Sequence, residues 1–148
     1  MEQDARRRLE ELLDREIEVA RSLAAILAAE RAALTGDSPS AVEAKAAEKI
    51  RILEELETLE TERRALCAAP GGAGFPGNGF AATVAERWRA LMELMAGCRS
   101  ANEVNGQIVH VRQNQVQQLI DIVRGGPAIT YGPRGKTLAN ALRALARA

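Results

Sequence analysis

VAERWRALMELMAGCRSANEVNGQIVHVRQNQVQQLIDIV, running from Val84 to Val123, decides the fold. Steps of four and three from Val84 give Val84, Trp88, Leu91, Met95, Cys98, Asn102, Asn105, Val109, Arg112, Val116, Leu119 and Val123 with no slip of register. A mostly apolar row at that spacing is one stripe of an α-helix laid against other helices. A helix over residues 80–124 would be roughly 65 Å long at ~1.5 Å per residue, against roughly 45 Å for each of the two segments before it. It is therefore expected to overhang its partners or bend.

The two preceding segments carry the same signal. Leu9, Leu13, Ala20, Leu23, Leu27 and Leu34 fall on one heptad seam, and Leu12, Val19 and Ile26 form a flanking row that widens it. In the next segment Ile52, Leu56, Leu59 and Leu66 make the seam, while Glu54, Glu55, Glu57, Glu60, Arg63 and Arg64 are expected on the solvated side. Most of the glycines, and every proline but Pro39, lie in Pro70–Gly79 and Gly125–Gly135, which read as linkers. A third break holds Gly36 and then Ser38-Pro39, suited to an N-cap and first helical position, with Ser40 and Glu43 as a competing capping box.

Helices are thus predicted near 3–35, 39–69, 80–124 and 136–147, in an all-α, coiled-coil-like antiparallel hairpin or bundle. The first and third are expected to pair antiparallel at a shallow angle. Residues 1–124 would form the helical bundle, and 125–148 a flexible linker with a C-terminal amphipathic segment. In that segment Leu138, Leu142 and Leu145 recur at i, i+4 and i+7, with Arg143 and Arg147 off the line. Thirteen residues are marginal as an isolated helix, so the leucines need something to cover them.

Composition narrows the function classes. Apolar residues make up 47% of the 148-residue chain but aromatics only 3%, and Ala and Leu dominate, which favours helix over strand. The formal net charge is zero, yet no acidic residue follows Asp121 while Arg124, Arg134, Lys136, Arg143 and Arg147 do. A basic tail without clustered charge or interleaved aromatics is a poor nucleic-acid binder. Cys67 and Cys98 belong to no metal or redox motif and read as reduced thiols. The N-terminus runs directly into charged amphipathic sequence, and no stretch reaches the length of a membrane span, so a cytoplasmic protein is expected.

Asn102 and Asn105 occupy neighbouring positions of the otherwise apolar third seam, with Gly106 next to them. A polar layer of this kind costs burial energy and commonly fixes register and partner number; a direct partner contact is the other use. Gly106 removes a side chain where a neighbouring helix could approach, and costs ~1 kcal/mol relative to Ala in a helix interior.

The run Asn102-Glu-Val-Asn105-Gly106-Gln-Ile108 in a long helix, followed after a Gly-rich break by Thr130-Tyr131-Gly-Pro-Arg-Gly135 and a short terminal helix, resembles the FlgN family of flagellar export chaperones. That resemblance extends along the whole chain. It implies a cytoplasmic chaperone, not an enzyme, that needs no cofactor. Its cargo would be the hook-filament junction proteins FlgK and FlgL, kept unassembled and delivered to the flagellar type III export apparatus. It further implies that Leu138, Leu142 and Leu145 contact the cargo and that Tyr131 touches the export-gate protein FlhA. The Gly/Pro interruption at Pro70–Gly79 departs from many relatives.

Sharper readings have less support. Gly132-Pro-Arg-Gly-Lys-Thr137 ends like a phosphate-binding loop, but Thr130 stands where its first glycine is required. His110 is the only histidine, and no nucleophile is spaced to work with it. Trp88 on the seam fills space between helices more naturally than it marks a ligand pocket. The alternative from another class is a structural coiled-coil or scaffold protein that self-associates through the long third helix; the three breaks in the chain argue against a rod.

Overall fold

The computed structural model describes residues 2–36, 38–69 and 81–125. Among them are three helices and no strand: α1 Glu2–Thr35, α2 Pro39–Ala68 and α3 Ala82–Val123. The expected all-α class is what is found, with ends within two residues of the predicted ones. The fourth predicted helix, 136–147, lies outside the described residues.

Local chemistry sets the helix ends. Thr35 Oγ1 turns back to donate to the Arg31 and Ala32 carbonyls at 3.1 Å each, and the Gly36 amide also reaches Ala32. Ser38, in extended conformation, caps α2 by accepting from the Ala41 amide at 3.4 Å, with Pro39 in the first turn. At the far end Ala69 precedes Pro70, which disfavours helical geometry for it, and it adopts φ −64° and ψ 149°. Gly125 closes α3 at φ +70°, a conformation that favours glycine, its amide bonded to the Ile122 carbonyl at 3.1 Å.

The chain divides into two compact units, Met1–Glu103 and Val104–Ala148. In the first unit Leu9, Leu13, Ile17 and Ala20 of α1 bury against Val84 and Leu91 of α3, with Leu66 and Trp88 packed alongside. A second cluster joins Leu23 and Leu27 to Leu56 of α2 and Cys98 of α3, and Met95 packs against both. Ala20 is fully buried, and its carbonyl accepts a weak bond from the Cys98 thiol at 3.6 Å.

Helix direction corrects one expectation. Glu10 meets Thr83 at 2.6 Å, Asp14 meets Arg87 at 2.8 Å, and Arg31 reaches the Ala101 carbonyl at 3.4 Å. Residue numbers rise together, so α1 and α3 run parallel, not antiparallel. The antiparallel partner is α2, since Glu16 pairs with Arg63 and Glu30 with Lys49. Two reversals by connecting segments require this: up, down, up returns the third helix to the direction of the first.

A second correction concerns Arg63, expected on the solvated side of α2. It is 8% exposed, and its Nε donates to both oxygens of buried Glu16 at 2.8 and 3.2 Å. Its guanidinium carbon lies 4.8 Å from the Trp88 ring centroid. Glu16, Arg63 and Trp88 therefore form one layer contributed by all three helices. Glu30, Lys49 and Asn102 form another, two heptads away on each helix: Lys49 Nζ lies 2.7 Å from Glu30 Oε1 and 3.4 Å from Asn102 Oδ1. Glu16 and Glu30 sit in the gaps of the apolar seam on α1, and Lys49 and Arg63 continue the seam of α2.

Burial pushes the Glu16 carboxyl above its ordinary value, against the opposing pull of Arg63. An acid whose folded value is raised contributes most stability below its unfolded value near 4.5, and that contribution is lost as pH rises through the folded value. Arg63→Met, which leaves the carboxylate buried without its cation, is expected to cost about 3 kcal/mol at pH 7 in urea unfolding. The deficit should narrow on acidification, since the raised Glu16 carboxyl takes up its proton before the pH falls to its ordinary value of 4.5. Glu16→Leu combined with Arg63→Met should recover most of the loss; a double variant as weak as the single one would show that the charge pair is not the cause. A separate expectation concerns Gly106, where an added Cβ would meet no described atom within 4 Å. Gly106→Ala should therefore raise stability by about 1 kcal/mol, again read by urea unfolding.

Candidate functional site

The first unit leaves little of its seam open, whereas the described part of the second, Val104–Gly125, is α3 and its closing turn. The sequence reading put Val109, Val116, Leu119 and Val123 on one stripe of a helix expected to overhang its partners or bend. Val116 is 53% exposed and Val123 85%, while Val109 and Leu119 are half-buried. Val104, Val111 and Ile120 add to the exposed apolar surface. No other described element of this unit lies alongside to cover them.

Part of this surface is concave. A hollow of about 320 Å³ is lined, among the described residues, by Val104, Gln107, Ile108, Val111, Arg112 and Gln115. Val104, Ile108 and Val111 recur at i, i+4 and i+7, so they share one side of the helix. Glutamines border them and Arg112 is the one charged group of the lining. Such a face can take up another apolar helix and satisfy polar groups at its edges without selecting strongly for charge.

The residues singled out in the sequence are distributed as follows. Asn102 belongs to the first unit, exposed at its rim but within reach of Lys49. Asn105 opens the second unit, is 2% exposed, and is not left without a polar partner. Gly106 is exposed with open space around it, so close helix approach is not its role among the described residues. Ile108 is half-buried at the hollow. Tyr131, Leu138, Leu142 and Leu145 lie outside the described residues, as does the phosphate-loop-like stretch 132–137.

His110 is exposed, its Nε2 lying 3.3 Å from the Asn114 amide. Burial raises both thiols, Cys98 by desolvation alone and Cys67 by desolvation against the pull of Arg63, which keeps them protonated and poorly nucleophilic near neutral pH. Among the described residues no group of three or more His, Cys, Asp or Glu side chains is arranged to hold a metal ion. Nor is any helix there long and apolar enough to cross a membrane. What the described residues present is an exposed apolar face on α3. A 4–3 repeat tells which residues share a side, not whether a neighbour is there to cover each of them, so the exposure of the individual α3 residues could not be read from it.

A family model described as FlgN protein matches residues 1–139. The match spans the three helices, the Asn102–Ile108 run and Tyr131, and ends just after Leu138. No curated protein and no solved structure matches the chain. With nearly its full length inside that match and an all-helical fold to go with it, the chain belongs to the FlgN family of flagellar export chaperones.

Proposed function

We propose that the protein is a cytoplasmic chaperone that binds hook-filament junction proteins of the FlgK and FlgL kind, prevents their premature assembly and delivers them to the flagellar type III export apparatus. The observation that carries this reading is the family match over residues 1–139, and the uncovered apolar face of α3 is in keeping with it. The first unit supplies a stable scaffold. Cargo contact is assigned to the C-terminal segment, through Leu138, Leu142 and Leu145, and gate contact with FlhA to Tyr131. Asn102, Asn105, Gly106 and Ile108 serve as the family's polar layer and its immediate neighbours. Residues 125–148 act as linker and cargo-binding segment, set apart in role from the helical bundle.

Binding of this type needs no covalent step. An amphipathic segment that becomes helical against its cargo trades conformational entropy for buried leucine surface, at ~1.5 to 3 kcal/mol for each fully enclosed side chain. The competing reading, self-association of a scaffold through α3, draws on the same exposed valines. Sedimentation of the free chain separates the two, since a scaffold would assemble at micromolar concentration without cargo.

Replacing Leu138, Leu142 and Leu145 together by Ser is expected to weaken FlgK or FlgL binding by more than about 100-fold in titration calorimetry. Melting of the body should move little, and retained binding or a collapse in stability would overturn the assignment. Tyr131→Ala should leave cargo affinity unchanged and slow export of the junction proteins from flagellated cells. Equal loss of both activities would place Tyr131 in the cargo site instead.

A further inference from the structure

A half-buried cation, Arg112, lies in the lining of the hollow on α3. The helix positions from which a carboxylate could reach it, three and four residues away on either side, hold Ile108, Val109, Gln115 and Val116. Among the described residues its side chain makes no hydrogen bond, ion pair or ring contact. Cations of the first unit are answered at those spacings, as Arg7 by Glu11 and Arg64 by Glu60, or across helices, as Arg63 by Glu16 and Lys49 by Glu30. Beside Arg112 stand Val104, Ile108 and Val111, a row of two turns spanning ~10 Å on one side of the helix. We propose that this hollow is a docking site for an amphipathic helix of another protein, which lays its apolar row on Val104, Ile108 and Val111 and brings an Asp or Glu to Arg112.

Desolvation sets the need for the carboxylate. Apolar surface alone, laid over the hollow, would take water from the guanidinium and return nothing, a cost that opposes the gain from burying valine and isoleucine. A carboxylate flanking the apolar row meets the guanidinium with up to two parallel bonds. Gln107 and Gln115 on the border can donate to or accept from polar groups of the incoming helix. Since one charge acts within a larger apolar contact, the preference it imposes is modest, about tenfold in affinity.

The chain itself supplies no occupant that fits as well. No Asp or Glu follows Asp121, while Arg124, Arg134, Lys136, Arg143 and Arg147 do, so the sequence after α3 would bring cations to a cation. A second copy of α3 laid parallel and in register sets Arg112 beside Arg112. Laid antiparallel, it can meet Arg112 with Asp121, the one carboxylate of residues 104–125. That register places Ile108 opposite Gly125 and Val104 past the end of α3, so only Val111, opposite Ile122, keeps an apolar neighbour from the row.

Two synthetic helical peptides, titrated into the full chain by calorimetry, test the site. Both carry Leu at i, i+4 and i+7; one has Glu and the other Lys at the positions flanking that row. The Glu peptide is expected to bind about tenfold more tightly, Arg112→Glu to reverse the order, and Arg112→Lys to keep it. Val111 is 54% exposed, so Val111→Asp should spare the fold and weaken both peptides. Failure of both peptides to bind, a preference that survives Arg112→Glu, or binding indifferent to Val111→Asp overturns the proposal. So does peptide binding that fades as the chain is concentrated, which would give the face to a second copy. The docking does not depend on the chaperone reading, but on that reading the helix belongs to cargo, and Arg112→Glu should weaken FlgK binding about tenfold as well. Unchanged FlgK affinity beside a reversed peptide order supports the site and takes FlgK away from it.

Discussion

The Glu16–Arg63 pair stacked on Trp88 is the constraint from which the first unit takes its order. Three helices whose seams are mostly Leu, Ala and Val can slide by a heptad and still bury apolar surface; a buried carboxylate cannot slide away from the guanidinium it is paired with. Removing two charges from water is costly, and their attraction offsets the cost only at good geometry. One guanidinium nitrogen reaching both carboxylate oxygens, with the aromatic face 4.8 Å from the guanidinium carbon, supplies that geometry in a single alignment of the three helices. The second layer, Glu30–Lys49–Asn102, repeats the constraint two heptads on. Between the layers the apolar residues have only to fill space.

With the register held by these layers, the small residues between them become intelligible. Ala20 is fully buried and Cys98 nearly so, and the thiol approaches the Ala20 carbonyl. A larger side chain at either place would push α1 and α3 apart, and would strain the polar layers on both sides. The outer pairs Glu10–Thr83 and Asp14–Arg87 follow the same parallel alignment of α1 with α3. They are partly exposed and add little stability individually, but all agree with one register.

Much of this was legible in the sequence. The apolar repeats placed α1, α2 and α3, the Gly/Pro stretches separated them, and Ser38-Pro39 marked the start of α2 as the structure has it. The polar layers were missed because the periodicity was counted over apolar residues. Glu16 and Glu30 stand at the places where the α1 seam skips a step, and Arg63 was set among the solvated charges when its spacing from Leu59 and Leu66 put it on the seam. Helix direction was misjudged for a different reason: a repeat carries no polarity, and only the number of chain reversals supplies it. As for the α3 face, an unbroken repeat from Val84 to Val123 cannot distinguish a covered valine from an exposed one. The C-terminal leucines fall outside the described residues, and their roles rest on sequence and family alone.

The contrast within α3 bears on how such a protein can be both stable and receptive. In the first unit its seam residues are enclosed by α1 and α2 and tied by charge layers, an arrangement that specifies one neighbour and one alignment. Along the second unit the apolar residues are mainly Val and Ile, bordered by Gln107, Asn114, Gln115, Gln117 and Gln118, with few charges. Amides satisfy either donors or acceptors, so apart from Arg112 the lining of the hollow imposes little sign on what it meets. Strong specificity would call for the opposite composition, with charges set to repel the wrong partner. On the chaperone role proposed above, a face of this kind would suit an amphipathic helix of matching spacing, held by apolar burial that is easily reversed. Reversibility is what an export chaperone requires, because cargo held as firmly as α1 holds α3 could not be released.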